Sequence, residues 1–151
     1  MRRHAQGVTV ISALDQTGAR VAMTASAVTS VSMEPPSLLV CVNRSSSLYP
    51  ALLARLPFCI NILSRSMEEI ANRCAFAERT EERFALGSWN QEALYAVPYL
   101  QEAEANLFCQ PDEVLEYGTH MICVGRLFAV QVQEARLNPL VYVNGAYHGV
   151  A

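Results

Sequence analysis

The chain contains no lysine, and all eleven of its basic side chains other than histidine are arginines. No local pattern calls for this, and it reads as compositional bias. Charge of either sign is scarce: 17% of residues are charged against 52% apolar, and the formal net charge is −3. That balance argues against nucleic acid as a partner, because binders of nucleic acid present a basic stripe. The five cysteines, at 41, 59, 74, 109 and 123, are odd in number, lack CxxC spacing and sit among apolar neighbours. Core thiols in a reducing cytoplasm fit this better than a disulfide framework or a metal cluster. No apolar run approaches the roughly 18 residues of a membrane span, so no membrane association is expected. The opening MRRHAQG lacks the apolar stretch of a signal peptide. There is no internal repeat, linker or low-complexity tract. The 151 residues therefore read as one domain, residues 1–151, with room for a core.

What is present is mostly strand. GVTVISAL (7–14) and VAMTASAV (21–28) flank the turn-forming DQTGAR and predict a hairpin. Pro35-Pro36 breaks the chain before SLLVCVN (37–43), an apolar strand, and PFCINIL (57–63) predicts another. LYPALLARL (48–56) has the spacing of a short helix, with Pro50 tolerable in its first turn. SRSMEEIANRCAF (64–76) is the clearest helix, with Ser66 and Glu69 at capping-box spacing. TEERFALGSW (80–89) predicts a shorter helical piece closed by Gly87, and 90–101 a loop with a strand fragment near Pro98. EANLFCQPDEV (104–114), a long β-like run at 119–133 and NPLVYVNGAYHGV (138–150) complete the chain. Strands in antiparallel order with a few short helices predict a mainly β protein, an antiparallel barrel.

Two hydroxyl-rich stretches stand out. In CVNRSSSLYP, a strand ends and a helix is expected near Leu48, with Asn43, Arg44, Ser45, Ser46 and Ser47 between them. Serine hydroxyls, a helix N-terminus and an arginine fork suit a bound phosphate. A serine cap beside a solvated arginine is the competing reading. The second stretch, MTASAVTSVS (23–32), carries five hydroxyls in a β-like segment. It reads as the wall of a flat heteroaromatic ligand site or as a half-exposed strand.

The segments GVTVIS, MTASAVTSVSMEPPSLLVCVNRSSS, FCINIL, EERF, YGTH and PLVYVNGAYH, in this order, resemble the short-chain flavin reductases. These are the NAD(P)H:flavin oxidoreductase components of two-component monooxygenases. The GTH form is similar to the branch that holds the reductases of 4-hydroxyphenylacetate 3-monooxygenase and of the pyrimidine-degrading oxygenase. The resemblance implies an FMN-binding split barrel with Greek-key-like strand order.

It also implies that Met23, Thr24, Ala25, Ser26, Ala27 and Ser30 run along the flavin ring and ribityl chain. Asn43, Arg44 and Ser45 to Ser47 would then hold its phosphate. His120, Tyr142 and Tyr147 are implied to bind the nicotinamide nucleotide; from the residues alone the tyrosines, beside the Asn144-Gly145 turn, read equally as stacking on a ring or as core and rim positions. Asn61, Arg83 and Phe84 also match family positions. His4 and His148 read as parts of mobile ends. FMN is the expected flavin, with FAD the alternative, and NADH the expected donor, with NADPH the alternative. The implied function is hydride transfer to a flavin that then diffuses to a partner monooxygenase. A non-catalytic flavin-binding split barrel is the alternative. The family forms homodimers with the flavin near the subunit interface. Its members usually carry another helical turn or two before the segment matching MRRHAQGV; either the start is short or Met1 is internal to a longer chain, and a missing helix would weaken the dimer or uncover part of the site.

Overall fold

The computed structural model describes residues 1–150. After a two-residue strand, β1 (Gln6–Gly7), come β2 (Thr9–Leu14), β3 (Arg20–Ala25), β4 (Val28–Met33) and β5 (Pro36–Asn43). Helix α1 (Tyr49–Leu53) leads to β6 (Phe58–Ile62), and helix α2 (Glu68–Phe76) follows a 3₁₀ turn at Arg65–Met67. A second 3₁₀ turn spans Thr80–Phe84. Strands β7 (Trp89–Gln91), β8 (Pro98–Leu100), β9 (Ala105–Tyr117), β10 (His120–Val132), β11 (Leu140–Val143) and β12 (Ala146–Gly149) complete the order.

The central sheet has seven antiparallel strands in the order β3-β2-β6-β9-β10-β5-β4. Its two outermost strands, β3 and β4, are consecutive in the chain and separated by Ser26 and Ala27 alone. Two residues span only about 7 Å, so the sheet must curl until its edges meet. The result is a barrel split along a seam, and the Ser26–Ala27 crossing bridges that seam. The Ala27 carbonyl accepts a hydrogen bond from the Cys41 amide at 3.1 Å, which fixes the crossing against β5.

The alternation of side chains along β2 and β3 explains why both read as nearly continuous apolar runs. Ile11, Ala13, Val21 and Ala25 face the barrel interior with Val40, Phe58, Ile60 and Met121. Val8, Val10 and Ala22 face outward and are covered by Met67, Ala71 and Cys74 of the α2 region. Asn61 is fully buried between these layers. Its amide donates to the Val10 carbonyl at 2.8 Å, and its carbonyl accepts from the Leu100 amide at 2.8 Å and from Asn106 at 2.9 Å. One side chain thus joins β2, β6, β8 and β9.

The β9–β10 hairpin carries a bulge where Val124 pairs with Glu113 but Gly125 with Pro111. Gly125 is required there by close approach: a Cβ on it would lie 2.6 Å from the Phe58 ring. The last hairpin, β11–β12, turns at Asn144 and Gly145 with φ of 53° and 83°, the left-handed pair that favours Asn-Gly.

Several expectations need correction. The capping box at the start of α2 does not form. The preceding residues wind as a 3₁₀ turn, Met67 takes the cap position, and the Ser66 hydroxyl bonds Ser64 at 2.9 Å instead. The predicted strand over 21–28 is broken by the seam crossing. The helical piece after Thr80 is a single 3₁₀ turn. Helix α1 is five residues long with Leu48 as its cap and no side-chain capping bond, so it brings little macrodipole to the serine loop.

Candidate active site

Residues Met23 to Ala27 divide by strand alternation. Met23 and Ala25 point into the barrel core, whereas Thr24 and Ser26 line a cavity of about 490 Å³. The opposite walls of that cavity are Glu68, Asn72 and Phe76 of α2 and Tyr142 and Tyr147 of the last hairpin. The Thr24 hydroxyl donates to the Ala71 carbonyl at 2.6 Å, so it ties α2 to the strand. Neither Met23 nor Ala25 lines the cavity, and Met23 is only half-buried. Ser26 also borders a second groove of about 350 Å³, together with Ala27, Thr29, Gln6 and His4. Ser30 lies further along β4 and is exposed.

Tyr142 and Tyr147 are cross-strand partners in β11 and β12, with ring centroids 5.1 Å apart at 63°. Burial, and then the neighbouring Tyr142 and Glu68, push the Tyr147 phenol above its ordinary pKa, so it stays a neutral donor. His120 is not a wall of either cavity. It opens β10, exposed, opposite Asn43 of β5, and its Nδ1 lies 2.9 Å from the Thr119 hydroxyl. Among the described residues, the predicted nicotinamide set is therefore divided between the last hairpin and the serine loop.

The serine loop is a tight turn. Asn43 Oδ1 accepts from the Ser45 amide and hydroxyl, each at 2.9 Å, and the Asn43 carbonyl accepts from the Ser46 amide at 3.0 Å. Ser46 Oγ accepts from the Tyr49 amide at 3.3 Å, and Ser47 Oγ accepts from Arg83 at 3.4 Å. The Ser45 hydroxyl proton is thus spent within the turn, while those of Ser46 and Ser47 remain to donate to an anion. Arg44 pairs with Glu116 at 3.4 Å and sits over the Tyr49 ring at 5.9 Å. The Tyr49 hydroxyl donates to the same carboxylate, and this bond is the main cause that raises its pKa.

Arg83 ties the serine loop to β3 just ahead of the first hydroxyl-rich stretch. Its guanidinium donates to the Ala22 carbonyl of β3 at 2.6 Å and reaches Ser47. It also grips the Ala77 carbonyl through Nε at 3.2 Å and Nη2 at 3.1 Å. A cleft of about 320 Å³ opens beside Ser47, where Arg20 lies 4.5 Å over the Phe84 ring. Sequence patterns alone did not mark Asn72, Phe76 or His4 as site residues. Arg83 carried only the EERF match.

Thr24 and Ser26 thus line one cavity, and Ser47 a separate cleft. The cavity of about 490 Å³ lies within the size range of small-molecule sites. All five cysteines are free thiols, four of them buried. Among the described residues no group of His, Cys, Asp or Glu is placed to hold a metal ion.

The curled sheet and its hydroxyl-lined seam define a split barrel of the flavin-reductase type. The whole chain, residues 1–151, matches the family model described as a flavin reductase like domain. It is 41% identical over 150 residues to the reductase component of FADH2-dependent resorcinol hydroxylase from a Rhizobium species, covering 97% of this chain and 82% of that one. It is 35% identical to an FMN reductase (NADH) of Variovorax paradoxus, over all of this chain and 82% of that one. The NADH:FAD oxidoreductase of Streptomyces globisporus, solved with NAD and FAD fragments, superposes with a TM-score of 0.89 at 26% identity, over 99% of this chain and 87% of that one. The chain belongs to the flavin reductase-like family, as its motifs suggested.

Proposed function

We propose that the protein is an NADH:flavin oxidoreductase that reduces FMN, with FAD as the alternative flavin, and supplies reduced flavin to a partner monooxygenase. One observation carries this: Thr24 and Ser26 of the seam face Tyr142 and Tyr147 across one cavity, while Arg83 ties β3, through the Ala22 carbonyl, to Ser47 of the serine loop. The relatives named for FMN reductase and for the reductase half of a hydroxylase support the same reaction. Hydride transfer from nicotinamide C4 to flavin N5 is the chemistry the two bound groups supply.

The chain's own residues bind, orient and shield. The seam backbone from Thr24 to Ala27 offers N–H groups to the pyrimidine edge of the ring, where negative charge develops on reduction. Ser46, Ser47, Arg44 and Arg83 hold the phosphate and so fix the ring along the seam. Tyr142 and Tyr147 supply aromatic faces across the cavity for the nicotinamide side, and exposed His120 meets the nucleotide from the serine-loop side. The exposure of Val31 and Met33 on β4 and of Leu115 and Tyr117 on β9 supports a homodimer that covers them, with the chain acting as one domain. No helix is long and apolar enough to cross a membrane. The five free thiols support a cytoplasmic setting.

His120→Ala tests the assignment of the nucleotide site. The apparent KM for NADH rises severalfold while FMN affinity stays within twofold. Unchanged nicotinamide kinetics would remove His120 from the site.

A further inference from the structure

The mechanism leaves one charged group near the phosphate loop without a task. Glu116, near the end of β9, lies beside the very arginine that the proposed site assigns to an anion. Its Oε1 is 3.4 Å from Arg44 Nε and also accepts from the Tyr49 hydroxyl. Arg44 is held back in other ways too. Its amide donates to the Thr119 carbonyl at 3.0 Å, and its Nη1 lies 3.5 Å from the Gly118 carbonyl. The guanidinium is thus folded onto the β9–β10 turn, with its charge already answered by a carboxylate.

We propose that Glu116 is a resident competitor for Arg44, which lowers the affinity of the serine loop for the flavin phosphate and so eases release of the reduced flavin. This rests on the reading of residues 43–47 as the phosphate site. An enzyme that hands its flavin to another protein treats that flavin as a product, and binding it too tightly would slow turnover. A phosphate entering the loop must draw Arg44 off Glu116 or share it, and in either case meets a second anion a few ångströms away. Tyr49 holds the carboxylate in place, because its phenol stays protonated beside Glu116 and continues to donate. The Arg44 and Glu116 side chains are about half exposed, at 51% and 45%. Water therefore screens the competition, and the effect is modest.

Glu116→Gln removes the charge and keeps a group that can accept from Tyr49. Dissociation constants for FMN and for riboflavin, which lacks the phosphate, would be measured by flavin fluorescence quenching in wild type, E116Q, R44A and the double variant. E116Q should tighten FMN about two- to fivefold, the scale of one half-exposed ion pair, and leave riboflavin unchanged. In the R44A background the same substitution should have a smaller effect, because its target is gone. If R44A weakens FMN selectively but E116Q changes nothing, or tightens riboflavin equally, Glu116 is not a competitor and the phosphate site stands. If R44A does not distinguish FMN from riboflavin, the phosphate assignment itself fails and the proposal falls with it.

Discussion

Arg83 offers the sharpest perturbation, because one side chain holds two backbone segments and the phosphate loop together. Arg83→Ala leaves the Ala22 and Ala77 carbonyls without the partners they meet at 2.6 Å and at 3.1–3.2 Å. A hydrogen bond from a charged donor is worth about 1.5–3 kcal/mol. Arg83 is only half-buried, so the low end applies to each carbonyl, and the loss comes to about 3 kcal/mol. For a chain of this size that lowers Tm by about 6–12 °C. Ser47 also loses the contact that turns its hydroxyl, so FMN affinity should fall several-fold while riboflavin binding changes little. Arg83→Lys should recover less than half of the stability, since an ammonium cannot span both carbonyls. Thermal denaturation followed by circular dichroism, with flavin titrations on the same samples, reads both effects. A Tm drop below about 2 °C with unchanged FMN affinity would refute the view that Arg83 is the joint of the site.

Asn61→Leu should cost about 3–5 kcal/mol in urea unfolding, because the Leu100 amide and the Val10 carbonyl lose their buried partner; a loss below about 1 kcal/mol would show that these groups find other partners. Burial pushes the Cys74, Cys109 and Cys123 thiols up from 9.0 to about 12, and Cys59 well above 9.0 as well. In the unfolded chain these thiols ionise near their ordinary value, so the unfolded state releases protons first as pH rises. Their contribution to folding stability is therefore fully present below about pH 8.5 and is lost as pH rises toward the folded values. Urea midpoints measured at neutral pH and well above it should decline, and a constant midpoint would contradict the burial of these thiols.

Much of the fold could be read from local pattern, because the strands announce themselves by β-branched runs and by turn residues such as Asn144-Gly145. The SLLVCVN and PFCINIL runs became β5 and β6 nearly as predicted. The failures share one cause: local spacing does not report what lies across the barrel. Ser66 and Glu69 have capping-box spacing, yet the 3₁₀ turn before α2 places Met67 at the cap. The VAMTASAV run is apolar and β-branched enough to read as one strand, but the curl of the sheet breaks it at Ser26 and Ala27. The candidate site was legible as two hydroxyl-rich stretches, and the family resemblance supplied their order along a flavin. The link that Arg83 makes between Ala22 and Ser47, and the pairing of Arg44 with Glu116, join residues dozens of positions apart. Neither could be seen before the strands were placed. The helix-dipole argument for the serine loop also fails, since α1 is a single turn; the loop's case rests on Ser46, Ser47 and the arginines instead.

The proposed reaction moves hydride from NADH to a free flavin. The most direct measurement is the absorbance decay of NADH under air, with purified protein and FMN, FAD or no flavin added. NADH consumption that requires added flavin, and is faster with FMN than with FAD, is the predicted result. A protein that binds flavin yet consumes no NADH with either one would contradict the account and leave a non-catalytic flavin-binding split barrel.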